Sequence, residues 1–384
     1  MIPVTIAYTG NSKHIAINVF PCGIPVIIEF KIGQRTPTIA PSTGPNTRPP
    51  IKAGICNGEK TEGVKGITLQ LGGNMDISIK CDSLKAIYSV KNGMLRCVAP
   101  YEFTISLMPM IKVCIEEVGN RIITFTCEEE IEAKKLYSLL QELERLLQIF
   151  DGVFLDLEAI EIYGRESTNS YNALVEHFKI QRLHYFSSAN FISIFSDRLL
   201  KYEDILSSEL FDKWRILLDE LGVVNQMYLY ATSSAGFTND VKCAFLVELS
   251  ESLMEIIQSE DIKLQRYPNE NGKLKPCLRT IINCYGKTLF RNEIEFDLEK
   301  ILSCLVNTRV NIMHIKINQR KPALDGRESV LYAIKMSYLY RLVILEKLEI
   351  NAILYEDNLI KRVGYIDGWN GIQEQLFNRL EQFL

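Results

Sequence analysis

The spacing of apolar residues changes once along this chain, near residue 127, and a chain with two periods has to build two kinds of layer. Before the change, short β-branched runs recur between turn signals: Ile2–Tyr8, His14–Phe20, Ile24–Phe30, Ile67–Leu71, Met75–Ile79, Ala86–Val90, Met94–Val98, Phe103–Leu107 and Arg121–Phe125. Gly72-Gly73-Asn74 lies between two of these runs. Asn92-Gly93 lies between Ile87–Val90 and Met94–Val98 and supplies the positive φ that a tight hairpin needs. After the change, Leu136, Leu140, Leu143, Leu147 and Phe150 recur at steps of three and four, the stripe of a helix packed on one side. Thr126 and Glu129 have capping-box spacing, so this helix is expected to start at Thr126 with Glu128, Glu129 and Glu130 in its first turn.

Val153–Tyr163 reads as a further strand, and its Asp156, Glu158 and Glu161 as a solvated strand face. From about residue 195 the pattern is helical, in pieces near 196–222, 240–259, 274–286, 291–314, 326–349 and 369–383, with Gly222, Gly272 and Gly326 at the ends. The expected fold is therefore α+β and multidomain. A β-sandwich or jelly-roll over residues 1–127 leads through a mixed connector over 128–194 to an α-helical bundle over 195–384. The 384 residues suit two or three domains. Residues 36–50 hold five prolines, which cannot donate to a ladder, so they form a long loop, either a binding loop or a connection.

The net charge of −4 gives no global basic field, so contact with a nucleic acid has to come from a local patch. Ten cysteines are scattered without a C-x-x-C pair, which reads as buried free thiols in a reducing compartment. No signal-like segment opens the chain, and no apolar run approaches the roughly 18 residues of a membrane span. A cytoplasmic protein with no membrane association is expected.

Phosphate-binding loops, nucleophile elbows, H-E-x-x-H motifs and dinucleotide fingerprints are missing, which leaves the four histidines. His14, His177 and His184 lack the company a metal site needs and read as structural or surface residues. His314 differs, because Arg309 precedes it by five residues at the end of a predicted helix. The negative end of a helix dipole favours a protonated ring there, and a neighbouring guanidinium can clamp a phosphate. Lys316, Arg320, Lys321 and Arg327 follow against Asp325, either as an RNA-backbone surface or as an ordinary solvated loop.

The R-x4-H pair, late in a helical region with a long helix after it, resembles the HEPN ribonucleases. Phe211–Leu221, CAFLVELSESLMEII at 243–257 and LEKILSCLVNTRVNIMH at 298–314 resemble the ApeA-type HEPN domain of bacterial anti-phage abortive-infection proteins. The helical resemblance covers roughly residues 195–350; before it, only the order of a β-rich domain and a helical one matches. The resemblance implies a toxic endoribonuclease that cuts RNA, transfer RNA among the candidates, by attack of a ribose 2′-OH on its own 3′-phosphate, without a metal or other cofactor. Arg309 and His314 would be catalytic, Asn311 and Glu251 supporting, and Lys316, Arg320 and Lys321 would touch RNA. The family usually has a polar residue directly after the arginine; here Val310 stands there and Asn311 one later. The resemblance also implies a homodimer through the helical domain and a phage-derived trigger sensed by the N-terminal domain. Two other classes stand beside it: an inactive HEPN-like module that binds RNA or a protein, and a lectin-like β-domain with a helical tail.

Overall fold

The computed structural model describes residues 79–89, 98–107, 109–152, 155–182, 198–233, 237–258, 273–314 and 321–382, and two short strands before them, Ile15–Ala16 (β1) and Ile27–Ile28 (β2). The chain divides into two units, Met1–Ile77 and Ser78–Leu384. In the first, β1 and β2 pair antiparallel. The proline-rich stretch and the Gly72-Gly73-Asn74 turn lie outside the described residues.

The second unit begins with an antiparallel sheet and continues as helices. Its strands are Lys80–Ser89 (β3), Val98–Ile105 (β4), Ile111–Val118 (β5), Asn120–Glu132 (β6) and Asp156–Tyr163 (β7), in the order β4-β5-β6-β3-β7. Alternation decides which face is buried. Leu84, Ala86 and Tyr88 of β3, Val113 and Ile115 of β5, Ile123 and Phe125 of β6, and Ile160 and Ile162 of β7 all lie on the covered side. The helix Ala133–Asp151 (α1) follows the sheet, and the whole expected stripe, Leu136, Leu140, Leu143, Leu147 and Phe150, is buried.

Two expectations fail in this part. The strands flanking Asn92-Gly93 do not form a hairpin, because β3 takes β6 and β7 as its neighbours and β4 pairs with β5. Local turn chemistry loses here to the thirteen residues of β6, which pair with β3 along one side and β5 along the other. Thr126 does not cap a helix either. The strand runs on to Glu132, and Cys127 and Ile131 still point inward. Between the pairs Cys81↔Ile131 and Ser83↔Thr126 the register shifts, so Glu128–Glu130 fall in a bulge. The five-stranded sheet contacts helices α1, Thr168–Arg182 (α2) and Ser208–Thr232 (α3), and most of the front of the expected sandwich lies outside the described residues.

Beyond α1 and β7 come Thr168–Arg182 (α2), α3, Asn239–Gln258 (α4), Leu274–Tyr285 (α5), Arg291–Phe296 (α6), Leu298–Met313 (α7), Gly326–Lys347 (α8), Glu356–Asp367 (α9) and Ile372–Glu381 (α10). Gly222 bends α3 instead of ending it, adopting φ 41 and ψ −110 inside the helix. The expected 291–314 helix breaks at Asp297, whose extended backbone ends α6 and whose Oδ1 accepts from the Lys300 amide at 3.1 Å to start α7. Helix α9 had no sequence expectation. No described helix is long and apolar enough to cross a membrane.

Helix α8 is the axis of the helical part. From Leu331 to Leu345 every residue is buried, so it has neighbours all round. It carries two buried cations, each hydrogen-bonded to groups from other elements. The Lys335 ammonium donates to Glu293 Oε1 at 2.7 Å and the Leu289 carbonyl at 3.2 Å, and it pairs with Asp367 at 2.6 Å. Arg341 reaches back to the end of α1, donating to the carbonyls of Ile149 at 2.7 Å and Phe150 at 2.8 Å. Those are carbonyls a helix leaves without intrahelical donors. Gly152 ends α1 with φ 79, and a Cβ there would stand 2.6 Å from Arg341 Nη1. The same corner holds a charge-balanced quartet: Arg121 donates to Glu117 at 2.8 Å and Asp151 at 2.6 Å, and Arg198 to Asp151 at 2.6 Å and Glu117 at 2.7 Å. Burial pushes the Asp151 carboxyl up, but the two guanidiniums outweigh it and hold it below its ordinary range.

Arg341→Ala should therefore cost about 3–5 kcal/mol in urea unfolding, because it removes two charge-assisted hydrogen bonds and takes from the buried Ile149 carbonyl its donor, while the Phe150 carbonyl keeps the Leu199 amide at 2.9 Å. A loss below about 1 kcal/mol, the scale of one ordinary hydrogen bond, would contradict the capping role. On the helical surface, the Arg279 guanidinium, with Lys275 beside it, holds the Glu299 carboxyl at about 2, below its ordinary 4.5. A depressed carboxyl stabilises the fold above its unfolded pKa and loses that contribution as pH falls through the folded one. The gap in unfolding midpoint between wild type and Glu299→Gln should be present at neutral pH and close as pH falls from about 4.5 towards 2. A gap that stays constant over that range would refute the assignment.

Candidate functional site

Helix α4 lies against α3, α8 and α7, and its sequence shows why its glutamates face outward. Cys243, Ala244, Leu246, Val247, Leu249, Ser250, Leu253 and Met254 are buried. Glu248, Glu251 and Glu255 fall between them at steps of three and four and stay at least partly exposed. Helix α7 buries Ile301, Leu302, Cys304, Leu305 and Thr308 and leaves Arg309, Asn311 and Ile312 half-buried.

The end of α7 is strapped to the segment that leads into α8. The Thr308 hydroxyl donates to the Cys304 carbonyl at 2.9 Å and accepts from the Leu324 amide at 2.7 Å, while Asn307 Nδ2 donates to the Pro322 carbonyl at 3.0 Å. Arg379 of α10 adds a bond to the Ala323 carbonyl at 3.0 Å. Asp325 then caps α8. Its Oδ1 accepts from the Arg327 and Glu328 amides at 2.8 Å each, and Glu328 Oε2 accepts from the Asp325 amide at 2.8 Å, a full capping box. Residues on both sides of the 315–320 stretch are thus fixed.

Arg309 and His314 come together despite the five-residue offset. His314 is the residue just after α7, its amide bonded to the Val310 carbonyl at 3.1 Å. Its backbone adopts φ −103 and ψ 3, and Arg309 Nη1 lies 3.4 Å from His314 Nε2. A guanidinium has no acceptor, so this contact is a hydrogen bond only while Nε2 carries no proton. The ring is exposed, and the arginine side chain is 19% exposed.

A third residue completes the group, and sequence reasoning missed it. Glu248 of α4 accepts from Arg309 through both oxygens: Nε donates to Oε2, and Nη2 donates to Oε1 at 2.5 Å. The hydrogen bond to Glu248, followed by the charges of Glu248 and Glu251, raises the guanidinium above its already high ordinary range, against a lowering by burial. Glu251, the acidic position expected from the resemblance, acts on Arg309 only through its charge. Glu248 stands one helical turn before it on the same outward stripe, so spacing alone offered both residues.

Donor counting shows what the arrangement can do. Of the five guanidinium N–H groups, two go to Glu248 and one points at His314. Among the described residues two donors stay open, one on each terminal nitrogen. That pair can take two oxygens of a phosphate beside the imidazole. Asn311 is half-buried one turn before His314. Lys321 is exposed at the start of the strapped segment, and Lys316 and Arg320 lie outside the described residues. His177 is half-buried on α2, and His14 and His184 are also outside the described residues. Among the described residues no group of three His, Cys, Asp or Glu stands close enough to hold a metal ion. A scan of family models, a search of curated proteins and a search of solved structures each found no match to this chain.

Proposed function

We propose that the chain is an endoribonuclease of the HEPN type, with Arg309 and His314 as its catalytic pair. The observation that carries this reading is the 3.4 Å approach of Arg309 Nη1 to His314 Nε2, with two guanidinium donors open next to the ring. In the reaction a ribose 2′-OH attacks the adjacent 3′-phosphate, and the bond to the 5′-oxygen of the next nucleotide breaks. The products are a 2′,3′-cyclic phosphate and a free 5′-OH. An unprotonated His314 Nε2 is suited to take the 2′-OH proton and to return it to the leaving 5′-oxygen, and the cyclising phosphate gathers negative charge that the open edge of Arg309 stabilises. These groups supply the chemistry without a metal.

The resemblance to anti-phage proteins supports placing this activity in abortive infection, with a second copy of the chain pairing through the helical region. Lys321, with Lys316 and Arg320 near it in sequence, is suited to hold the RNA backbone. Cleavage of total RNA and transfer RNA in EDTA tests the reading. The wild type should leave cyclic phosphate ends. His314→Ala should lose roughly 10²–10⁴-fold in rate, and Arg309→Ala roughly 10²–10³-fold. RNA that binds equally to wild type and His314→Ala and is cut by neither would favour the binding-only module.

A further inference from the structure

We propose that Glu248 is the positioning residue of this site: it sets the plane of the Arg309 guanidinium so that the open edge faces a phosphate beside His314. The inference rests on the ribonuclease reading and adds a residue to it that the family resemblance did not supply.

A guanidinium has two edges that can each hold an oxyanion in bidentate fashion, the Nε–Nη2 edge and the Nη1–Nη2 edge. Glu248 fills the first through both of its oxygens. The second is left, and it is the edge whose Nη1 lies 3.4 Å from His314. Without Glu248, nothing among the described residues but that long contact would hold a flexible, partly exposed side chain in one plane. The carboxylate itself is well placed to do so. Val247, Leu249 and Ser250 on either side of it are buried, so its backbone is fixed.

The electrostatics give this role a distinctive kinetic signature. Glu248 and Glu251 set two negative charges against the one guanidinium, so an incoming phosphate is not drawn in by net charge at this point. Removing the Glu248 charge should leave RNA binding unchanged or tighter, while the loss of orientation should slow the chemical step. A residue that only supported the fold would lower the active fraction. A carboxylate that competed with phosphate for Arg309 would do the opposite, and its removal would speed cleavage.

The test is steady-state cleavage of one RNA by the full chain and its variants. Glu248→Gln is expected to lower kcat about 10- to 100-fold, the scale of a misplaced catalytic group, with KM unchanged or lower and the thermal midpoint close to wild type. Glu248→Asp keeps the charge but falls one methylene short of the guanidinium, and should lose turnover similarly. In an Arg309→Ala background, Glu248→Gln should have no further effect, because Glu248 acts through Arg309. A faster Glu248→Gln enzyme, an unchanged one, or a full additional loss without Arg309 would each overturn the proposal. If Arg309→Ala and His314→Ala both cut RNA at the wild-type rate, the ribonuclease reading itself falls. A second measurement does not depend on turnover. The ¹⁵N signals of the two Arg309 terminal nitrogens should be distinct in wild type, where rotation is hindered, and should merge in Glu248→Gln. Merged signals in the wild type would also overturn the role.

Discussion

The helical part of this protein is arranged around a helix that buries two cations. Lys335 and Arg341 sit on α8 with almost no exposure, and an unpaired charge in such a place would cost more than most single contacts return. Each is therefore met by groups from other elements. Lys335 gathers Glu293 from α6, Asp367 from α9 and the Leu289 carbonyl. Gln373 of α10 also donates to Glu293 at 2.7 Å. Arg341 takes the open carbonyls at the end of α1 and so ties the layer that covers the sheet to the helices that follow it. The apolar residues of α8 supply most of the burial; the two cations restrict which neighbours it accepts and in which register.

That order passes outward to the candidate site. Helix α4 packs on α8 and on α7, so the position of Glu248 relative to Arg309 is set by buried neighbours on both helices. The strap from Asn307 and Thr308 to residues 322–324 fixes where α7 ends. His314, the residue after α7, lies with its ring beside Arg309. The candidate site thus consists of three exposed or half-buried side chains held on packed helices, which limits how far the groups drift.

Much of this was legible in the sequence where one physical signal dominated. The stripe from Leu136 to Phe150 could face only one way, and the spacing that predicted it is borne out by complete burial. The long helix after Gly326 was equally clear from its length and apolar content. Local signals failed where distant partners outweighed them. Asn92-Gly93 favours a hairpin, but the strands on either side of it pair elsewhere. Thr126 and Glu129 have the spacing of a cap, but the inward-facing Cys127 and Ile131 keep the chain in the sheet. Arg309 and His314 were singled out by residue type together with the family resemblance, since a five-residue offset does not stack on one helix face. Glu248 was not, because Glu248 and Glu251 occupy the same stripe and only the packing of α4 on α7 decides between them.

The units also bear on how any restraint of the activity would be built. Strands β3 to β6 belong with the helices in the unit from Ser78 onward, so a truncation at residue 127 would remove three of the five strands of that sheet and most of a fourth. In the proposed reaction Arg309 and His314 promote attack of a ribose 2′-hydroxyl on its own 3′-phosphate. The most direct measurement compares an RNA oligonucleotide with a copy methylated on every 2′-oxygen, both incubated with the full chain in EDTA and read by mass spectrometry of the ends. The account predicts cyclic phosphate ends from the first and an intact second strand. Cleavage of the methylated strand would contradict it, because the bond would then have been broken by a nucleophile other than the 2′-hydroxyl.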